Sequence, residues 1–278
     1  MLKTRVITAL VLVALLLPAL FMLPQAAWAV LVAAFIGVAA WEWGALLGWS
    51  PNARRILGVF TALLCISLGW FNLQAIGAGE AFVPDAPWVL LIYSIAAAFW
   101  CLVMPLWLRK KWALGGGVAG LLVGAVVLLP TWLAMVQLRT LGPVVLLGIF
   151  ALVWMADIAA YFSGKAFGKH KLAPAISPGK TWEGAIGAAL GVLVYGLVIR
   201  LAAGLETPAL PLWVLGLVGI TAISIIGDLY ESLLKRQAGI KDSSNVLPGH
   251  GGVLDRIDSL TSTLPVIAWL WLLMGIFA

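Results

Sequence analysis

Nine apolar stretches separated by short polar connectors set the pattern of this chain, over positions 6–23, 27–47, 56–73, 88–108, 113–133, 144–163, 185–205, 212–227 and 264–278. A helix needs roughly 20 mostly apolar residues to cross the bilayer core, so each stretch is a candidate span. Pro18, Pro105 and the run Gly115-Gly116-Gly117 would break a helix in water, but membrane helices tolerate such residues where neighbours satisfy the freed backbone groups. The pattern predicts an all-α polytopic membrane protein with about nine transmembrane helices. It divides into residues 1–140, carrying spans one to five, and residues 141–278, carrying spans six to nine with two long polar loops. No internal repeat is visible.

Composition agrees: 63% of residues are hydrophobic, 10% are charged and the mean hydropathy is +1.10. Soluble domains run at about 45–50% apolar and about 25% charged, which excludes an ordinary soluble fold. A net charge of +6 could suggest a nucleic-acid partner, but the placement of the charges argues for a membrane and against nucleic acid. Lys3 and Arg5, Arg54 and Arg55, Arg109 to Lys111, Lys165 to Lys180, and Lys235 to Arg256 all fall in alternate connectors; of the 17 basic residues only Arg139 and Arg200 fall on the other side. The positive-inside rule then predicts a cytoplasmic N-terminus and a C-terminus on the opposite face, which also receives Glu80, Asp85 and Glu206. Lys3 and Arg5 followed by an apolar run ending near Ala27-Trp28-Ala29 have the outline of a signal peptide. A second span follows at once, which favours an uncleaved first span. Cys65 and Cys101 both sit in apolar runs and indicate neither a disulfide framework nor a thiolate metal site.

Chemistry should sit in the two longest polar segments, both on the basic side. From Gly227 the chain reads GDLYESLLKRQAGIKDSSNVLPGHGGVLDRIDS, with five acids, four bases and one histidine. If the eighth helix continues past the membrane surface, Asp228, Glu231, Ser232 and Lys235 share one face, and Asp255 and Asp258 do the same at the start of the ninth. The Pro248-Gly249-His250-Gly251-Gly252 run, framed by Lys241 and Arg256, would let backbone N–H groups approach an anion. Carboxylates bracketing such a loop suit a nucleotide with Mg²⁺, which prefers one or two carboxylates plus phosphate oxygens and water. Zinc is disfavoured, because the two histidines, His170 and His250, form no helical pair and no cysteine lies near them. The other segment, FGKHKLAPAISPGKTWEG, contains Gly179-Lys180-Thr181, but Pro174 stands where a P-loop needs glycine and no buried strand is expected before it. Lys165, Lys169 and Lys171 could equally anchor to anionic lipid, at about 1 kcal/mol each. Lys180 is read with Ser177 in a tight Pro-Gly turn at a helix start. Asp157 falls roughly 9 Å inside the sixth span, where acids usually face a partner or a wet cavity. Glu183 reads as a cap on the seventh helix, and Glu42, between Trp41 and Trp43, as part of an interfacial aromatic belt.

Ser232-x-x-Lys235-Arg236, then Lys241-Asp242, then Pro-Gly-His250-Gly-Gly-x-x-Asp255-Arg256-x-Asp258 resembles the phosphatidate cytidylyltransferase family, as does the stretch from Asp157 through Gly168-Lys169-His170-Lys171 to Ser177-Pro-Gly-Lys180-Thr-Trp-Glu183-Gly. The likeness covers roughly the C-terminal half; residues 1 to about 140 match in hydropathy alone. It departs at Ile158-Ala159, where small or hydroxyl residues are expected. The resemblance implies an enzyme of the bacterial cytoplasmic membrane, its site facing the cytoplasm, that joins CTP to phosphatidic acid to give CDP-diacylglycerol and pyrophosphate. It also implies Asp228, Asp255 and Lys180 as catalytic residues, and Ser177, Lys165, Lys235, Arg236, Lys241, His250, Gly251, Gly252 and Arg256 as substrate contacts. One or two divalent ions, Mg²⁺ first and with room for a second cation type, would sit on Asp228 and Asp255, with Asp157 and Asp258 as further acids. A homodimer is compatible with the same likeness. Two rival readings are a transporter, which would pair broken helices in two related halves, and a CDP-alcohol phosphotransferase, whose Asp-Gly-x-x-Ala-Arg pattern is missing.

Overall fold

The computed structural model describes residues 2–274, so Gly275 to Ala278, the end of the expected ninth span, lie outside the described residues. Among the described residues nine helical spans are long and apolar enough to cross a membrane. The first three are α1 (Leu2–Met22), α2 (Gln25–Leu46) and α3 (Pro51–Phe71). The fourth joins α4 (Pro87–Ala98), a π-helical turn over Phe99–Val103 and α5 (Met104–Lys110). Then follow α6 (Val118–Thr140), α7 (Pro143–Phe167), α8 (Trp182–Ala202), α9 (Leu210–Gln237) and α10 (Leu254–Met274). The all-helical expectation needs one amendment, because a short antiparallel hairpin, β1 (Lys171–Ala173) and β2 (Ser177–Thr181), precedes α8.

Helix starts follow local chemistry. Ser50 accepts from the Ala53 N–H with Pro51 at the first turn, and Thr181 accepts from the Gly184 N–H, each satisfying a donor that the helix itself cannot. Two prolines inside spans show how the freed backbone is accommodated. Pro105 brings no N–H to the ladder, and the turn just before it widens to a π-helix in which the Met104 N–H reaches Phe99 O. Pro265 frees the carbonyl of Thr261 on α10, and Thr131 on α6 donates to it at 3.3 Å. The glycine run from Gly115 to Gly117 stays outside the helix, so α6 starts at Val118 rather than near position 113.

α2 is a pillar of the core. Its Trp28 and Trp43 donate indole N–H groups to Met135 O at 3.1 Å and Gly120 O at 3.0 Å, and Trp132 of α6 donates back to Ala29 O at 3.0 Å. Buried indole N–H groups usually find such partners. The connectors gather at two ends. At one end Thr8 meets Pro248 O, Trp49 meets Gly116 O, and Gln237 meets Trp112 O. The other is closed by Arg139, which donates to Leu20 O, Leu23 O and Gln25 Oε1, and by Gln137, which bridges Tyr93, Ala75 O and Pro84 O. Arg139 is therefore a buried tie between α6 and the α1–α2 elbow rather than a solvated loop charge.

Candidate active site

The loop-rich end holds the clustered charges, and small residues let its helices come together. Gly227 on α9 stands where a Cβ would meet Asp258 O at 2.9 Å and collide with Ser262, so α9 and α10 touch at the level of the acids. On the other side α8 packs on α7 through Gly191 against Ala159 and Gly184 against Ala160 O. Ala159 therefore has a packing role, while its neighbour Ile158 is 53% exposed on the outer surface.

The hairpin is pinned by one side chain. Ile176, at its tip, is 4% exposed and sits in a small apolar cluster with Leu229 and Leu233 of α9. Arg236 adds a bond from Nε to Ile176 O at 3.4 Å. Pairing runs Lys171 to Thr181 and Ala173 to Ser177 with an irregularity between. Lys180 therefore lies on a strand, which corrects the expected Pro-Gly turn; the reversal is made one step earlier, at Pro174 to Ile176. From that strand Lys180 Nζ reaches Asp228 Oδ2 on α9 at 2.6 Å, while Asp228 Oδ1 accepts from Ser232 Oγ at 3.3 Å. Glu183 lies in the first turn of α8, but the capping hydroxyl belongs to Thr181. The Glu183 carboxylate turns back to the hairpin, 2.7 Å from His170 Nδ1 and within reach of the His170 N–H.

Between α7, α8, α9 and the hairpin lies a cavity of about 510 Å³. Asp157, Lys165, Ser177, Lys180 and Asp228 line it, with a wall of small residues that includes Ala156, Ala160, Gly164 and Ala188. Lys165 also lies over the Tyr161 ring at 5.8 Å. Asp258 is within electrostatic reach of Asp228 and Asp157, and Arg256 within reach of Asp157.

Asp255 belongs to a second cluster. Its Oδ1 accepts from Lys235 Nζ at 2.6 Å, and its Oδ2 from Ser243 N and Oγ, both at 2.9 Å, and Gly252 N at 2.8 Å. Lys235 also holds Glu231 at 3.1 Å, so two carboxylates share one ammonium. Gly251 has φ +81°, and a Cβ there would press on Asp255 Oδ2, so glycine is required at that turn. The Gly252 N–H, expected to be open to an anion such as phosphate, is taken up by the Asp255 carboxylate. His250 donates its backbone N–H to Leu247 O, and its Nδ1 and the Oε1 of Glu231 are buried without a partner. Lys169, Lys171, Lys241 and Arg256 are exposed.

The structure thus gathers Lys165, Ser177, Lys180, Asp228 and Asp157 at the cavity, and Lys235, Asp255, Gly251 and Gly252 beside it. It does not bring Asp255 to the cavity wall, and a metal shared by Asp228 and Asp255 needs Asp255 to release some of its present bonds. Among the described residues no group of three or more His, Cys, Asp or Glu side chains forms a ready metal cage. The cavity offers two carboxylates, Asp157 and Asp228, a donor set that fits a Mg²⁺ site of one or two protein carboxylates.

Sequence reasoning missed Glu42. It is not part of a surface belt: it is fully buried and accepts from Ser244 Oγ at 2.5 Å, Val253 N at 3.0 Å and Leu254 N at 2.6 Å. Its signal was available, since it is the sole charged residue between Arg5 and Arg54, and an acid inside a span ordinarily has a partner.

A model of the cytidylyltransferase family matches residues 3–274. The chain belongs to that family. Its relatives include the phosphatidate cytidylyltransferase of Pseudomonas aeruginosa, 42% identical in an alignment 276 positions long that covers 96% of each chain. That of Haemophilus influenzae is 36% identical over 98% of this chain and 99% of its own. The Bacillus subtilis cytidylyltransferase matches at 41% over about half of each, 51% and 53%. Family membership thus extends through the N-terminal half, beyond the motif-bearing region.

Proposed function

We propose that this multi-pass membrane protein transfers the cytidylyl group of CTP to phosphatidic acid, forming CDP-diacylglycerol and releasing pyrophosphate. One observation carries the reading. In a chain related over nearly its whole length to phosphatidate cytidylyltransferases, the basic and acidic residues of the family motif converge at one end of the bundle, with Lys180 on Asp228 and Lys235 on Asp255 at 2.6 Å each.

The phosphate of phosphatidic acid attacks the α-phosphorus of CTP, and the bond to the β-phosphate oxygen breaks. The nucleophile is already an anion, so no strong base is needed, and catalysis rests on positioning and charge neutralisation. Lys180 and Lys235, each now paired with a carboxylate, can exchange that partner for a phosphate oxygen, and Arg236 and Arg256 add charge nearby. Lys165 and Ser177 line the cavity where the lipid phosphate would enter from the membrane side. Lys241, His250, Gly251 and Gly252 would border the nucleotide. Asp228 and Asp255 are the carboxylates we assign to Mg²⁺, with Asp157 and Asp258 as further acids. The bound ion would neutralise charge on the reacting phosphates. The basic, loop-rich end would face the cytoplasm of a bacterial inner membrane, where CTP is available.

The test uses purified protein with phosphatidic acid, Mg²⁺ and CTP labelled at either the α- or the γ-phosphorus. The α-label should enter the lipid phase and the γ-label should leave as pyrophosphate, with both lost on adding EDTA. A γ-label in the lipid would instead reveal a kinase, and no lipid label at all would reject the proposal.

A further inference from the structure

Glu42 lies in the N-terminal half, 212 positions from one of its partners, yet all three of its hydrogen bonds go to the motif-bearing loop. Two carboxylates divide the edges of that loop between them. Ser243 and Gly252 bind Asp255, whereas the adjacent Ser244, Val253 and Leu254 bind Glu42. Gly252 lies under both, for a Cβ there would collide with Ser243 Oγ and the Glu42 carboxylate. Leu254 opens α10, and its N–H has no partner within the helix, so Glu42 supplies from another helix the acceptor that a capping side chain would supply locally. A buried carboxylate is costly unless fully hydrogen-bonded. Both oxygens of Glu42 are used, and α2 around it is held by Trp43 on Gly120 O and by Arg54 donating to Trp41 O at 3.3 Å while stacking on the Trp41 ring.

We propose that Glu42 is a positioning residue for the cytidylyl transfer: by latching Ser244, Val253 and Leu254 it closes the 243–253 loop and holds the start of α10, and with it the backbone that carries Asp255, in place. The idea rests on the proposed function for its kinetic consequence and on the hydrogen bonds alone for its structural one. It gives the N-terminal half a part in the reaction beyond anchoring.

The test compares wild-type protein with Glu42→Gln and Glu42→Asp in the labelling assay, alongside trypsin cleavage after the exposed Lys241 and thermal melting. Glutamine keeps the shape but turns one acceptor into a donor facing backbone N–H groups. Glu42→Gln should lower kcat roughly 10- to 100-fold, as a small misplacement of reacting groups does, with a much smaller change in KM for CTP. Cleavage after Lys241 should quicken while the melting temperature stays near wild type, and Glu42→Asp should recover part of both losses. Wild-type turnover in Glu42→Gln, unchanged cleavage, or a kcat that falls only in step with melting would each overturn the latch. If wild-type protein labels no lipid, the proposed function fails, and the cleavage rates still decide on the latch.

Discussion

Lys180 and Lys169 belong to one short basic segment, but only Lys180 is tied to an acid, 2.6 Å from Asp228, and it alone of the two lines the cavity. Lys180→Ala should therefore lower kcat on the order of 100-fold, the usual scale for removing a charge-stabilising donor from a reaction site. Lys169→Ala, exposed on the loop, should stay near wild type. Steady-state kinetics on both at matched protein and lipid checks this, and equal losses would mean a diffuse basic surface. Lys180 stood out in the sequence because lysine beside glycine at a helix start suggests an anion, and the structure sets it on the cavity wall beside Asp228. Glu42 was misread because its neighbours Trp41 and Trp43 suggest a membrane surface; its true partners lie across the chain, where no local pattern points.

At the scale of the element, the hairpin is the part the sequence hid. Its strands have three and five residues, and Pro178 and Gly179 in the second disfavour a strand reading, so the segment looks like a turn. What makes it a hairpin is docking: Ile176 drops into the cluster with Leu229 and Leu233. Truncating a buried isoleucine to alanine costs about 2–5 kcal/mol, more than so small an element gains from its own backbone pairing. Ile176→Ala should therefore release the hairpin while leaving the helices intact. Hydrogen exchange should rise across residues 171–181 and kcat should fall with it, without a comparable change in the melting of the bundle. The spans, by contrast, were plain in the sequence, because the membrane demands long apolar runs. Their ends were less so: α10 starts at Leu254, well before the apolar stretch at 264, since its first turns bury Asp255, Ser259 and Thr261 against other helices rather than against lipid.

For the whole molecule, the asymmetry of basic residues predicts a cytoplasmic N-terminus. With the native cysteines replaced, Asn245→Cys and Glu80→Cys, both at exposed loop positions at opposite ends, should react with a membrane-impermeant thiol reagent from opposite sides, Asn245→Cys from the cytoplasm in opened vesicles. Labelling of both from one side would refute the nine-span arrangement. The cavity between α7, α8 and α9 has further meaning for a reaction between CTP and a lipid. In the proposed reaction CTP would reach the cavity from water and phosphatidic acid from the membrane, two phases in which abundance is counted differently. CTP is counted per volume, phosphatidic acid per area of membrane. Crowding of the lipid surface, rather than the total amount of lipid in the tube, would then set how often the site is filled, and growth of the membrane by its own product would dilute the very substrate that feeds it.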